Sequence, residues 1–169
     1  DYAGPRINEG SKGVLLGVGE PCRDLPAELG STPESGIQTA RVFVPGCVVV
    51  DGVAHADDPD WGQRVSRDPA LAEWPLVVLS DDAERATRSS MNFLWTTFTR
   101  FDPAADLRGR NVTLLYSHPS HDPPVVLDAR MKAPYPEELT CDPDTADRVD
   151  RRWEEYFDGR VEMGDSEKG

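Results

Sequence analysis

The sequence predicts a single α/β domain with a mixed sheet of about five strands and flanking helices. Two patterns carry this reading. Short β-rich apolar runs such as Leu76–Leu79 are each closed by turn residues, the signature of buried strands. Elsewhere Met91, Leu94, Trp95 and Phe98 recur at i, i+3, i+4 and i+7, the stripe of an amphipathic helix. A length of 169 residues is enough for one domain with its own core.

Taken in order, residues 1 to 36 form a lead-in and a loop. Gly10, Gly13, Gly17 and Gly19 interrupt Val14–Val18, which reads either as a short strand between turns or as a glycine-weakened helix. No phosphate-loop motif is present, and Lys12 by itself reads as a surface lysine. The main α/β unit is predicted over residues 37 to 158. Arg41–Val44 and Cys47–Val50 flank Pro45-Gly46, a pair suited to a type II turn, so a hairpin is expected, or one strand broken by a bend. Asp58-Pro59 and Asp68-Pro69 read as helix starts, with aspartate as cap and proline in the first turn.

Leu76–Leu79 is a strand and Ser80-Asp81-Asp82 its acidic exit. A helix over Arg88–Arg100 follows and ends before Pro103. Leu107–Arg110 reads as a turn, Val112–Tyr116 as a strand, Ser117–Pro124 as a proline-rich loop and Val125–Asp128 as a strand. Asp142-Pro143 starts the last helix, which carries Val149, Trp153 and Phe157 on one face through Phe157. Both long helices are expected to pack their aromatic faces on the sheet or on a partner. Residues 159 to 169 read as a charged tail.

Composition excludes several classes. A net charge of −13 argues against nucleic acid or an anionic membrane as partner. No run approaches the about 20 apolar residues of a membrane span, and no signal-peptide pattern is seen. The three cysteines, Cys22, Cys47 and Cys141, have no paired spacing, so reduced thiols and a cytoplasmic location are expected. The Asn111-Val112-Thr113 sequon falls on a predicted strand and reads as accidental. The chain opens on Asp-Tyr-Ala-Gly-Pro, in the manner of a sequence already under way.

Three acidic or histidine clusters are candidate sites. His55 with Asp57, Asp58 and Asp60, and His118 with His121 and Asp122, read as loops rather than metal centres, so no metal site is expected. Asp81-Asp82 stands where α/β proteins often place functional groups. Acids before a helix also serve as caps, and that reading is preferred. Arg100 reads as a helix-end charge near Asp102 and Asp106. No Gly-x-Ser-x-Gly nucleophile motif occurs.

Leu76–Asp106, with Asp81-Asp82, Phe93-x-Trp95-x-x-x-Thr99-Arg100 and Asp102-Pro103-Ala104-x-Asp106, resembles the carboxy-terminal part of UbiD-type decarboxylases. Val126-Leu127-Asp128-Ala129 and the terminal Trp-bearing helix are similar to that family's end. Tyr2-Ala3-Gly4 and Ser11-Lys12-Gly13-Val14-Leu15-Leu16-Gly17 are similar to the segment leading in. Residues 28 to 74 match least and read as a subgroup insertion.

The resemblance implies a carboxy-terminal domain or small subunit of a carboxy-lyase acting on aromatic or α,β-unsaturated acids. It implies prenylated FMN with a divalent metal, often manganese, and potassium in the full enzyme. It also implies partnership with an upstream catalytic domain or larger subunit, in a homo- or hetero-oligomer. The family's catalytic carboxylates, arginine and metal ligands precede the matched region, so no catalytic residue is assigned here. One carry-over is made: Lys12 as a contact to the flavin phosphate. A non-catalytic assembly subunit, and a stand-alone acidic α/β binding domain with Asp81-Asp82 as its pocket, are the competing readings.

Overall fold

The β-rich runs do pair. In the computed structural model, which describes residues 18–116, 118–133, 135–136 and 141–161, β1 (Thr39–Val44) and β2 (Cys47–Asp51) form an antiparallel hairpin. Gly46 turns it at φ +83°, a conformation that glycine adopts without strain. Next come α1 (Trp61–Val65), a 3₁₀ turn (Pro69–Leu71), β3 (Leu76–Leu79), α2 (Ala83–Thr87) and α3 (Ser90–Arg100). After these come β4 (Leu107–Arg108), β5 (Val112–Leu115), β6 (His118–His121), β7 (Val125–Asp128), α4 (Pro143–Asp150) and α5 (Trp153–Phe157).

The main sheet has five strands in the order β1-β2-β3-β7-β4. β2, β3 and β7 are parallel, with Val49, Val78 and Leu127 in register, and β1 and β4 are antiparallel edges. This is a mixed α/β domain, as the patterning predicts. The parallel strands are near-continuous apolar runs because both faces are covered. On one face Val48, Val50, Val77, Leu79 and Val126 pack against Trp61, Val65, Leu71 and Trp74. On the other, Cys47, Val49, Val78 and Leu127 pack against Ala83, Ala86 and Phe93.

The connections from β2 to β3 and from β3 to β7 step the same way across the sheet but run over opposite faces. The chain therefore leaves β2 toward one face and β3 toward the other.

Several expectations are corrected. Leu107–Arg110 is not simply a turn, because Leu107 and Arg108 pair with Leu127 and Val126 and supply the fifth strand of the sheet. Val112–Leu115 is a strand, but it pairs only with His118–His121, in a separate two-stranded sheet. The proline-rich loop thus contains a strand that apolar patterning does not reveal. The helix read over Arg88–Arg100 starts at Ser90, with the Ser89 hydroxyl accepting from Asn92 N–H, and α2 precedes it. Asp68 caps its turn through Ala70 N–H as read, whereas the helix near Asp58-Pro59 starts only after Asp60. The final helix is broken into α4, capped by Asp142, and α5, and neither buries a residue.

Of the two packings expected for the stripe on α3, on the sheet or on a partner, the first does not occur. Phe93 and Thr97 face the core. Met91, Leu94, Trp95 and Phe98 point outward, and Trp95 is 66% exposed. The face read from periodicity is a real helix face, but it lies off the sheet. Among the described residues no helix is long and apolar enough to cross a membrane.

Candidate functional site

The carboxyl ends of β2, β3 and β7 gather the charged residues that the fold brings together. Asp51 closes β2. Its Oδ1 accepts from Thr39 N–H at 3.0 Å and its Oδ2 from Ala83 N–H at 2.9 Å, so one carboxylate ties strand β1 to the first residue of α2. Asp82 caps α2 by accepting from Arg85 N–H at 2.9 Å. Asp81 Oδ2 accepts from Met131 N–H at 2.8 Å and from Arg100 Nη1 at 3.2 Å. That bond joins the exit of β3 to the exit of β7 and anchors the end of α3. Arg100 pairs with Asp81 across the helix end.

At the end of β7, Asp128 and Arg130 form a buried fork. Nε donates to Oδ1 at 2.8 Å and Nη2 to Oδ2 at 2.6 Å. Arg130 Nη1 also donates to the carbonyls of Val53 and Asp58, and the guanidinium lies 5.1 Å from the Trp61 ring centroid. Burial alone would raise the Asp128 carboxyl. The hydrogen bonds and charge of Arg130, helped by the charge of Lys132, outweigh that and hold it below the usual carboxylate range. Lys132 reaches back to Asp106 and to three backbone carbonyls.

Asp51, Arg130 and Lys132 are not evident from sequence motifs. The available signal is the spacing Asp128-x-Arg130 at a strand end, since residues two apart in extended chain share a face.

Beside this network, Ser80, Asp81, Asp82, Arg85, Asn92 and Trp95 line a small cleft between α2 and α3, closed by Thr96 and Arg100. It opens at the carboxyl end of β3. Its two acids already serve as cap and strand tie, so it is a scaffolded edge rather than an acidic pocket with groups to spare for chemistry. The cleft is lined by two acids and two arginines, Asp81, Asp82, Arg85 and Arg100, with no glycine-rich turn among them. Lys12 lies outside the described residues.

The histidine clusters disperse. His118 and His121 are three residues apart on β6 and so point to opposite faces. Asp58 pairs with Arg64 and accepts from Asp60 N–H. Among the described residues no three His, Cys, Asp or Glu side chains converge as metal ligands would.

No family model matches the chain. It is 37% identical over 157 residues to a Chlamydia pneumoniae protein named as a subunit of 4-hydroxybenzoate decarboxylase, a match covering 93% of this chain and 26% of that protein. It is also 40% identical over 158 residues to an uncharacterized protein of Chlamydia trachomatis serovar D, covering 93% of this chain and 27% of that one. An uncharacterized Chlamydia caviae protein is 38% identical over 157 residues, again covering 93% and 26%. The first of these matches relates the chain to a protein named as a decarboxylase subunit. The chain spans only 26% to 27% of the length of these curated relatives, so its sequence corresponds to one part of those longer proteins.

Proposed function

We propose that the chain is the carboxy-terminal domain, or a separately encoded equivalent, of a UbiD-type carboxy-lyase acting on aromatic or α,β-unsaturated carboxylic acids. In this reading it contributes assembly and closure of the site, and the catalytic residues belong to the rest of the enzyme. The observation that carries the proposal is the similarity, over 93% of the chain, to a protein named as a 4-hydroxybenzoate decarboxylase subunit.

The geometry supports a supporting role. Asp81 and Asp82 are engaged in holding β7 and α2. The outward face of α3 presents Met91, Leu94, Trp95 and Phe98, and no residue of α4 or α5 is fully buried. Apolar helix faces of this kind favour coverage by another protein surface. In the full enzyme prenylated FMN, with a divalent metal such as manganese and with potassium, would supply the decarboxylation chemistry. Lys12 would contact its phosphate as a point charge. A purely structural assembly role is the second reading, favoured by the word "subunit" in the relative's name.

The test is a native mass measurement of the chain with and without the remaining part of the enzyme. A stable complex that gains activity over the catalytic part alone is expected. A chain that stays monomeric and changes nothing would refute the proposal. Decarboxylation by this chain alone with prenylated flavin would overturn the claim that the catalytic set lies elsewhere. For Lys12, Lys12→Ala in the full assembly is expected to lower flavin retention, and unchanged retention would remove that role.

A further inference from the structure

Lys132 Nζ sits in a cage of oxygens drawn from three stretches of chain. It lies 2.8 Å from the carbonyl of Arg100 at the end of α3, and 2.7 and 3.2 Å from the carbonyls of Asp128 and Arg130 at the exit of β7. The fourth oxygen is Asp106 Oδ2, at 3.1 Å. The Lys132 and Asp106 side chains are only 11% and 8% exposed. Asp106 is itself fixed, since the same Oδ2 accepts from Asp102 N–H at 2.8 Å.

An ammonium group has three N–H donors, and four oxygens surround this one. The three carbonyls take its three hydrogen bonds, and the Asp106 carboxylate adds an ion pair, so the cage is arranged around one positive charge. Its composition fits a monovalent ion. Three neutral carbonyls can replace a hydration shell, as backbone carbonyl rings do for potassium, and one carboxylate balances a single charge. A divalent ion would demand more anionic oxygen. The Arg100 carbonyl adds the negative end of the α3 dipole.

We propose that this cage is a monovalent-cation site occupied by a tethered cation, the Lys132 ammonium, and that it takes K⁺ or NH₄⁺ once the ammonium is removed. The bound charge pins the exit of α3 to the exit of β7. The cage therefore fixes the angle at which α3 presents its outward apolar face. The inference rests on these oxygens alone and stands whether or not the decarboxylase reading holds.

The experiment uses the full chain carrying Lys132→Ala, melted in KCl or NH₄Cl against choline chloride at equal ionic strength. The expected result is a lowered midpoint in choline that rises by several degrees in K⁺, with no such difference in the unsubstituted protein. Lys132→Met, which fills the space with an uncharged stem, is expected to be destabilised with no K⁺ response. Rb⁺ soaked into crystals of Lys132→Ala should give an anomalous peak where Nζ stood. A K⁺-independent midpoint overturns the proposal, as does an equal response in the unsubstituted protein. Lys132→Ala unfolded even in KCl while Lys132→Met folds would also overturn it, because the vacated cage would then be unable to hold an ion.

Discussion

Arg130 forks onto the carboxylate of Asp128 from only two residues further along the chain, with contacts of 2.8 and 2.6 Å. Both side chains are buried at the end of the central parallel strands. Removing one partner would strand the other charge out of water, which costs about 3–5 kcal/mol. Asp128→Ala is therefore expected to lower stability by that amount in urea denaturation. Arg130 also holds the Val53 and Asp58 carbonyls, so Arg130→Met should additionally loosen the 53–58 segment in hydrogen exchange.

Acid sensitivity follows from two carboxylates. Burial would raise the Asp68 carboxyl, but hydrogen bonds from the Ser35 side chain and from the backbone of Ala70, Glu34 and Ser35 lower it on balance. Asp128 is also lowered. A group whose folded value lies below its unfolded value stabilises the fold above the unfolded value and loses that contribution as pH falls through the folded one. Both start from an ordinary value of 3.8, so stability is expected to hold from neutral pH down to that region and fall below it. Asp68→Asn should flatten the acid limb of a urea-midpoint series, and an unchanged slope would remove Asp68 from the account.

The three thiols should separate by environment. Cys22 and Cys141 are exposed, whereas Cys47 is packed between Val49, Val78 and Phe93, and burial pushes its thiol up to about 11. A chromogenic disulfide reagent is expected to label Cys22 and Cys141 quickly in the native protein. Cys47 should react only on unfolding, since the thiolate is the reacting form.

The two faces of α3 give opposite predictions. Phe93 is 8% exposed and stacks on Phe43 with ring centroids 3.9 Å apart. Phe93→Ala is expected to cost about 3–5 kcal/mol. Trp95→Ser or Phe98→Ser should change the stability of the chain by within about 0.5 kcal/mol, as surface substitutions do. In the proposed assembly these same changes should weaken association, read as a loss of complex in native mass measurement. Stability losses from Phe98→Ser as large as those from Phe93→Ala would show that the outward face is already covered within the chain.

Legibility in the sequence followed physical redundancy. β2, β3 and β7 are apolar on both faces and bounded by turns, so local pattern and burial agree. The Pro45-Gly46 hairpin and the Asp68 and Asp142 caps are specified within a few residues. The strand His118-Pro119-Ser120-His121 has no apolar alternation, because it is an exposed edge held by its partner β5. β4 is two residues long, too short for any period to register. Periodicity identified a face of α3 but could not say what lies against it, because Met91, Leu94, Trp95 and Phe98 form as regular a stripe as a core face would. The site network was legible only in its acids. Asp81 and Asp82 are adjacent in sequence, whereas Asp106, Arg130 and Lys132 meet only through the β3–β7–β4 arrangement.

Asp82 provides the sharpest test of scaffold against chemistry. Its carboxylate accepts from Arg85 N–H and sets the start of α2. A cap needs an oxygen, whereas an acid–base group or a metal ligand needs a charge. Asp82→Ala is expected to cost about 0.5–2 kcal/mol, and Asp82→Ser, which retains a capping oxygen, should recover most of that. In the proposed assembly Asp82→Ser should leave decarboxylation unchanged. A variant that is stable yet inactive would return Asp82 to the catalytic set and overturn the assignment of this edge as scaffold.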